Sequence, residues 1–259
     1  MIDPIEPMGT GEEQISLGPV PAKKAESKLL AKSIGFMAIA LLVTGVVGFA
    51  FAFLMATLFG QGGYINDTGY VVLMITLVAS LVVSVIVSFT FTKNAMTRTK
   101  APWVSFLLYS ALEGIFFGSF IIIPGVDFSM IGEAFGITAL AFGACFLIGY
   151  FSKGEMKIAL FVAMALFMGI GLSSIIFLPI YFFGGYDAIY LYSYIVSVVI
   201  VVAVSLLVAF EARNIKKLAS SSLLASNNIA LLCAMDLYCS FMMIFTRILY
   251  ILLLSRNRN

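Results

Sequence analysis

The sequence predicts an all-α membrane protein with seven transmembrane helices. Three observations carry that prediction. The chain is 62% hydrophobic and only 11% charged, where a soluble domain is about half apolar and about a quarter charged. Its mean hydropathy is +1.10. Seven apolar runs stand out, near residues 33–59, 69–92, 102–123, 131–152, 158–182, 188–211 and 229–254, and each reaches the roughly 20 residues that a spanning helix needs. None shows the alternation of a barrel strand, and only helices and closed barrels satisfy their own backbone in hydrocarbon. The third observation is that basic residues alternate from loop to loop, as follows.

Residues 1–27 are polar and contain Pro4, Pro7, Pro19 and Pro21, with no apolar core near the start. They read as a flexible cytoplasmic tail rather than a signal peptide, and residues 28–259 as one seven-helix transmembrane domain. Lys23, Lys24, Lys28 and Lys32 precede the body of helix 1. The next loop holds only Asp67, within the sequon Asn66-Asp67-Thr68. Helix 2 carries Ser80, Ser84 and Ser88 and is followed by Lys93, Arg98 and Lys100. Helix 3 carries Gly114 and Gly118, with Glu113 beside them. Asp127 lies in the third loop, and helix 4 opens with Gly132, Glu133 and Gly136. Small residues four apart let helices approach closely. Lys153 and Lys157 precede helix 5, Asp187 precedes helix 6, and Arg213, Lys216 and Lys217 follow it. The positive-inside rule puts the N-terminus in the cytoplasm and the C-terminus outside. Arg256 and Arg258 run against this: either the terminal pair is tolerated, or helix 7 does not fully cross. Full crossing is the expectation adopted.

Composition also excludes function classes. Histidine is absent, which removes His-based metal sites, a Ser-His-Asp triad and a histidine pH sensor. Cys145, Cys233 and Cys239 lie in apolar segments without metal-ligand spacing and read as packing residues. A net charge of +2 gives no sign of a nucleic-acid partner. No nucleophile–base pair or metal motif is present, so an enzyme is not expected, nor a tightly bound cofactor. No lysine sits inside a helix to form a Schiff base. A monomer is expected.

The most informative run is the last, AMDLYCSFMMIFTRILYILLL, which carries Asp236 and Arg247. An intramembrane charge costs roughly 2.5–3.5 kcal/mol on insertion scales and marks a functional site by default. Asp236, Ser240, Met243 and Arg247 fall on one helix face. At ~1.5 Å per residue, Asp236 lies about 10 Å into helix 7 from the cytoplasmic side and Arg247 roughly 27 Å. Glu113 lies about 16 Å into helix 3, and Glu211 at the cytoplasmic end of helix 6. Asp236 is therefore placed to meet Glu211. Arg247 reaches back toward Glu113, or outward toward Glu133 or lipid headgroups. Two carboxylates in a low-dielectric site resist joint ionisation and can share a proton. Losing that proton leaves an oxygen-rich site suited to Ca²⁺.

Four segments resemble the Bax inhibitor-1 (transmembrane Bax inhibitor motif) family. EAFGITALAFGACFLIGYFSKGEM, from Glu133 to Met156, is similar to its helix 4 signature. YSALEGIFFGSF from Tyr109, VAFEARNIKK from Val208 and LYCSFMMIF from Leu237 resemble its helix 3, 6 and 7 motifs in order. The resemblance covers roughly residues 30–254. It implies six helices around a central seventh and a pH-sensitive Ca²⁺ leak gated by an acid pair on helices 6 and 7. The first acid falls on Glu211; the second falls on Ser240, which does not ionise. Asp236, one turn earlier on the same face, is the expected substitute, so the expected gate and transient Ca²⁺ site is Glu211, Asp236 and Ser240. The family also pairs a helix 2 acid with a helix 7 arginine. Helix 2 has no acid here, and Glu113 is the expected partner of Arg247 in an internal ion pair. The implied membrane is the plasma (inner) membrane if the source is bacterial. The alternative reading is a non-conducting regulator that binds a membrane protease or a cell-death or stress partner.

Overall fold

The computed structural model describes residues 22–61, 64–96, 102–122, 126–152, 156–183, 186–220 and 227–256. They form seven helices: α1 (Ala22–Phe59), α2 (Asp67–Met96), α3 (Pro102–Ile121), α4 (Phe128–Phe151), α5 (Lys157–Phe183), α6 (Tyr186–Ser220) and α7 (Asn227–Arg256). All seven are long and apolar enough to cross a membrane. The chain is an integral, multi-pass membrane protein whose outer surface contacts lipid. Between α1 and α2, Gly60–Gln61 (β1) and Tyr64–Ile65 (β2) pair antiparallel. Residues 22–27, expected in the tail, are helical; residues 1–21 lie outside the described residues.

The buried hydroxyls of the helices are satisfied within the bundle. Buried hydroxyls bond back one turn, as in Ser33 to the Leu29 carbonyl at 3.0 Å, Ser110 to Phe106 at 2.9 Å and Thr138 to Ala134 at 2.7 Å. This is the local solution open to Ser and Thr where no water competes.

Helix α7 is the axis of the bundle. Its buried residues, among them Leu231, Leu237, Tyr238, Ile244 and Leu249, form a broad arc over more than half of its circumference, while Asp236 and Met243 on the remaining face are exposed. It packs on α1, α2, α3, α4 and α6. α5 is peripheral and packs chiefly on α6. α7 also runs the full depth of the bundle. At one end Asn227 Oδ1 accepts from Lys32 Nζ at 2.7 Å; at the other, Arg256 pairs with Asp127 at 2.7 Å. α7 is thus long and apolar enough to cross a membrane, and the outlying Arg256 has a specific partner. Asp127 caps α4 by accepting from the Met130 N–H at 2.8 Å. That N–H first, and Arg256 second, hold its carboxyl below the usual aspartate range.

Glycine spacing makes some of the expected contacts and not others. Gly114 and Gly118 of α3 face Gly48 of α1 so closely that a Cβ on Gly114 would lie 2.8 Å from the Thr44 carbonyl oxygen. Gly132 and Gly136 of α4 touch no neighbouring helix, and a Cβ there would meet nothing. The glycine through which α4 meets α6 is Gly149, which lies against the Ala209 backbone.

One buried polar junction ties α1, α3 and α7. Thr44 Oγ1 lies 2.6 Å from the Tyr238 hydroxyl and 2.9 Å from the Ser110 carbonyl oxygen. Tyr238 is fully buried. Tyr238→Phe is expected to lower unfolding stability by about 0.5–1.5 kcal/mol, the net worth of a hydrogen bond whose remaining partner keeps another acceptor. A denaturation midpoint in detergent measures it.

Candidate functional site

The polar groups of α7 lie on two levels. On the first, Glu211 meets Ser240. The seam of α6 against α7 is made of small and branched residues, Val204, Val208, Ala212 and Ile215, all buried. Glu211 follows Val208 by three residues, so it projects beside this seam at the same face of the helix. Ser240 Oγ donates to it, 2.9 Å from Oε1 and 3.1 Å from Oε2. Ser240 is buried and Glu211 half-buried.

Asp236 sits one turn before Ser240. It is exposed, while Met235 and Leu237 on either side are buried. The Asp236 and Glu211 carboxylates are close enough to interact electrostatically, yet no hydrogen bond joins them among the described residues. The hydroxyl of Ser240, at the position where an acid was expected, is the group that Glu211 engages.

The second level is a cavity of about 420 Å³ between α3, α5, α6 and α7. Glu113, Arg247, Tyr109 and Cys239 line it, with Phe167 of α5 and Met243 of α7. Glu113 interacts with the Tyr109 hydroxyl one turn away on the same helix, and the Cys239 thiol lies 3.7 Å from that hydroxyl. Arg247 and Glu113 thus face one volume, but no ion pair joins them among the described residues. Arg247 does not reach Glu133 either; Glu133 accepts from Ser129 at 3.4 Å on the surface of α4. A cavity this size has room for roughly a dozen waters at ~30 Å³ each, enough to solvate both charges.

Sequence reasoning missed Tyr109 and Tyr238. Tyr109 carried a signal, since it precedes Glu113 by four residues and so shares its face. Tyr238 carried none: its partner Thr44 lies 194 residues away.

The basic residues beyond Glu211 also have structural work. Arg213 Nη1 donates to the Ser152 carbonyl, and Lys216 Nζ to the Tyr150 carbonyl at 3.2 Å. Both carbonyls belong to the C-terminal end of α4, where the helix dipole favours cations. The motif EARNIKK therefore locks α6 to α4 just beyond the acid site.

No group of three or more His, Cys, Asp or Glu side chains converges on a metal position among the described residues. Ca²⁺ takes 6–8 oxygens. Glu211, Asp236 and Ser240 offer at most about five oxygens between them, short of a full shell.

A bundle of spanning helices around a buried axis, with carboxyl and hydroxyl groups set into the seam of that axis, defines a polytopic α-helical membrane protein with a polar core. Residues 26–258 match the family model described as "Inhibitor of apoptosis-promoting Bax1", and the chain belongs to that family, the Bax inhibitor-1 family. It is similar to a protein of Chlamydia muridarum (strain MoPn / Nigg), itself described as uncharacterized, with 28% identity over 155 residues. That match covers 59% of this chain and 65% of the relative, so the chain spans just under two thirds of the relative's length.

Proposed function

We propose that the protein is a Ca²⁺-permeable leak whose conductance is set by protonation of Glu211 and Asp236, and that it is not an enzyme. The observation that supports this most directly is the Ser240–Glu211 hydrogen bond. It is a polar tie across the α6–α7 seam, with a second carboxylate one turn away on the accessible side. When the carboxyls are protonated, the seam holds no net charge and stays closed. When both ionise, Glu211 and Asp236 repel each other and the seam loosens. Their oxygens, with Ser240 Oγ, then face a path that a divalent cation can use. Flux is therefore higher at neutral than at acid pH. The cavity holding Arg247 and Glu113 is the continuation of that path along α7, and Ca²⁺ is the cargo. The end bearing the N-terminus of α1 faces the cytoplasm, in a plasma or inner membrane if the source is bacterial, and one chain suffices.

The test is Ca²⁺ entry into proteoliposomes between pH 5 and 8. Wild type should conduct more at the upper end, and Asp236→Asn and Glu211→Gln should each flatten the pH dependence. Equal flux and equal pH dependence in wild type and Asp236→Asn overturn the gate. No flux in any of the three overturns the channel and leaves the protein as a non-conducting regulator.

A further inference from the structure

We infer that an acyl chain of a bilayer lipid occupies the apolar groove between α1 and α4 and lies directly against the central helix. The groove has a volume of about 340 Å³, and its floor is Phe241, Met242 and Phe245 of α7. α1 and α4 flank α7 on this side without packing closely on each other. The slot between them is left open by missing side chains: Gly45 on α1 and Gly132 on α4 both line the groove, and a Cβ at either position would meet nothing within 4 Å. The Gly132–Gly136 pair thus has the spacing of a helix contact without the contact. Glycine costs helix stability relative to alanine, and the return at Gly132 is open space.

Water does not suit this space. Thr44 is its one polar side chain, and the Thr44 hydroxyl is already engaged by the Ser110 carbonyl and by Tyr238. A cavity without free polar partners stays dry. The mouth is continuous with the lipid-facing belt, since Leu42, Phe128 and Phe135 beside it are 67%, 72% and 49% exposed. Phe49 and Phe128, stacked at 5.7 Å, bridge the two helices at the end where α4 begins. From Phe128 to Phe135 the groove runs about 10 Å along α4, a narrow slot shaped for a run of methylenes rather than for a second helix. In hydrocarbon an open slot of this kind is filled by the solvent at hand. Met242 also borders the cavity of Glu113 and Arg247, so the chain in the groove sits one side chain away from the polar core.

The test uses the full-length protein in phosphatidylcholine vesicles that contain a lipid with a diazirine in its acyl chain. After photolysis, adducts are mapped by residue. Phe241 and Phe245, which form the floor of the groove, should be labelled in wild type. Gly45→Leu and Gly132→Leu, which fill the slot from opposite walls, should each lose that label and retain label on exposed Phe128. Gly171→Leu, an equally unobstructed glycine on α5, should keep it. Absence of label on Phe241 and Phe245 in wild type overturns the inference, as does label that persists in both filled variants. Absence of lipid label on exposed Phe128 and Phe135 as well as on Phe241 and Phe245 would overturn it in favour of a second copy of the chain covering the groove. None of these readouts depends on Ca²⁺ flux.

Discussion

Gly149→Ala is expected to destabilise the protein strongly, and Gly143→Ala on the same helix to leave it unchanged or slightly more stable. A Cβ on Gly149 would fall on the carbonyl and Cα of Ala209 in α6. Those are backbone atoms of a packed helix, with no side-chain rotamer to relieve the clash. Overpacking in a core typically costs about 1–3 kcal/mol, occasionally more, and a clash with backbone belongs at the upper end because α4 and α6 must separate as bodies. At Gly143 a Cβ meets nothing, so the substitution only removes glycine's helix penalty of about 1 kcal/mol. On the scaling of soluble domains, 1 kcal/mol moves a midpoint by roughly 2–4 °C, so the two variants should separate clearly in a thermal unfolding series in one detergent. A wild-type midpoint for Gly149→Ala would mean that α4 and α6 do not meet at that point. The clasp of Arg213 and Lys216 on the end of α4 lies in the same interface and should weaken with it.

Ser240→Asp is expected to make the fold itself sensitive to pH. The substitution places a second carboxylate where the Ser240 hydroxyl now stands, 2.9 Å from Glu211. Two carboxylates at that distance in a weakly polar seam cannot both ionise cheaply. They share a proton and titrate as a pair. The sign follows directly: the protonated pair is neutral and hydrogen-bonded, whereas the doubly ionised pair repels. Stability is retained at acid pH and lost as pH rises through the titration of the pair. The variant should unfold near the wild-type temperature at pH 5 and several degrees below it at pH 8, where each 1.4 kcal/mol of repulsion is about a tenfold shift in the unfolding equilibrium. Wild type should show a smaller change, because Asp236 is a turn away and exposed. Identical profiles for the two proteins would mean that Glu211 does not face this position.

Local physics is legible in this chain, and the relations between its helices are not. Seven runs of apolar residues became seven helices long enough to cross a membrane. The shared face of Asp236, Ser240 and Arg247 followed from helical periodicity alone. The expectation that Asp236 would meet Glu211 came from depth along the helix, but a hydrogen bond also depends on rotation about it. Ser240 lies in the seam, and Asp236 lies beside it. The same holds for Arg247 and Glu113, which share a cavity across which they do not pair.

What the sequence by itself determined is therefore the number and order of the helices, the family, and the set of charged residues within the spanning segments. Only the tertiary structure decided which group answers Glu211, which glycines bring helices together, and which stand open beside Phe241. The reason lies in the solvent. In water, an apolar stripe tells a helix which face to bury. In a bilayer, lipid is as apolar as leucine, so helices that are apolar all round carry no local mark of inside and outside, and their rotation is settled only by the fit of side chains against one another.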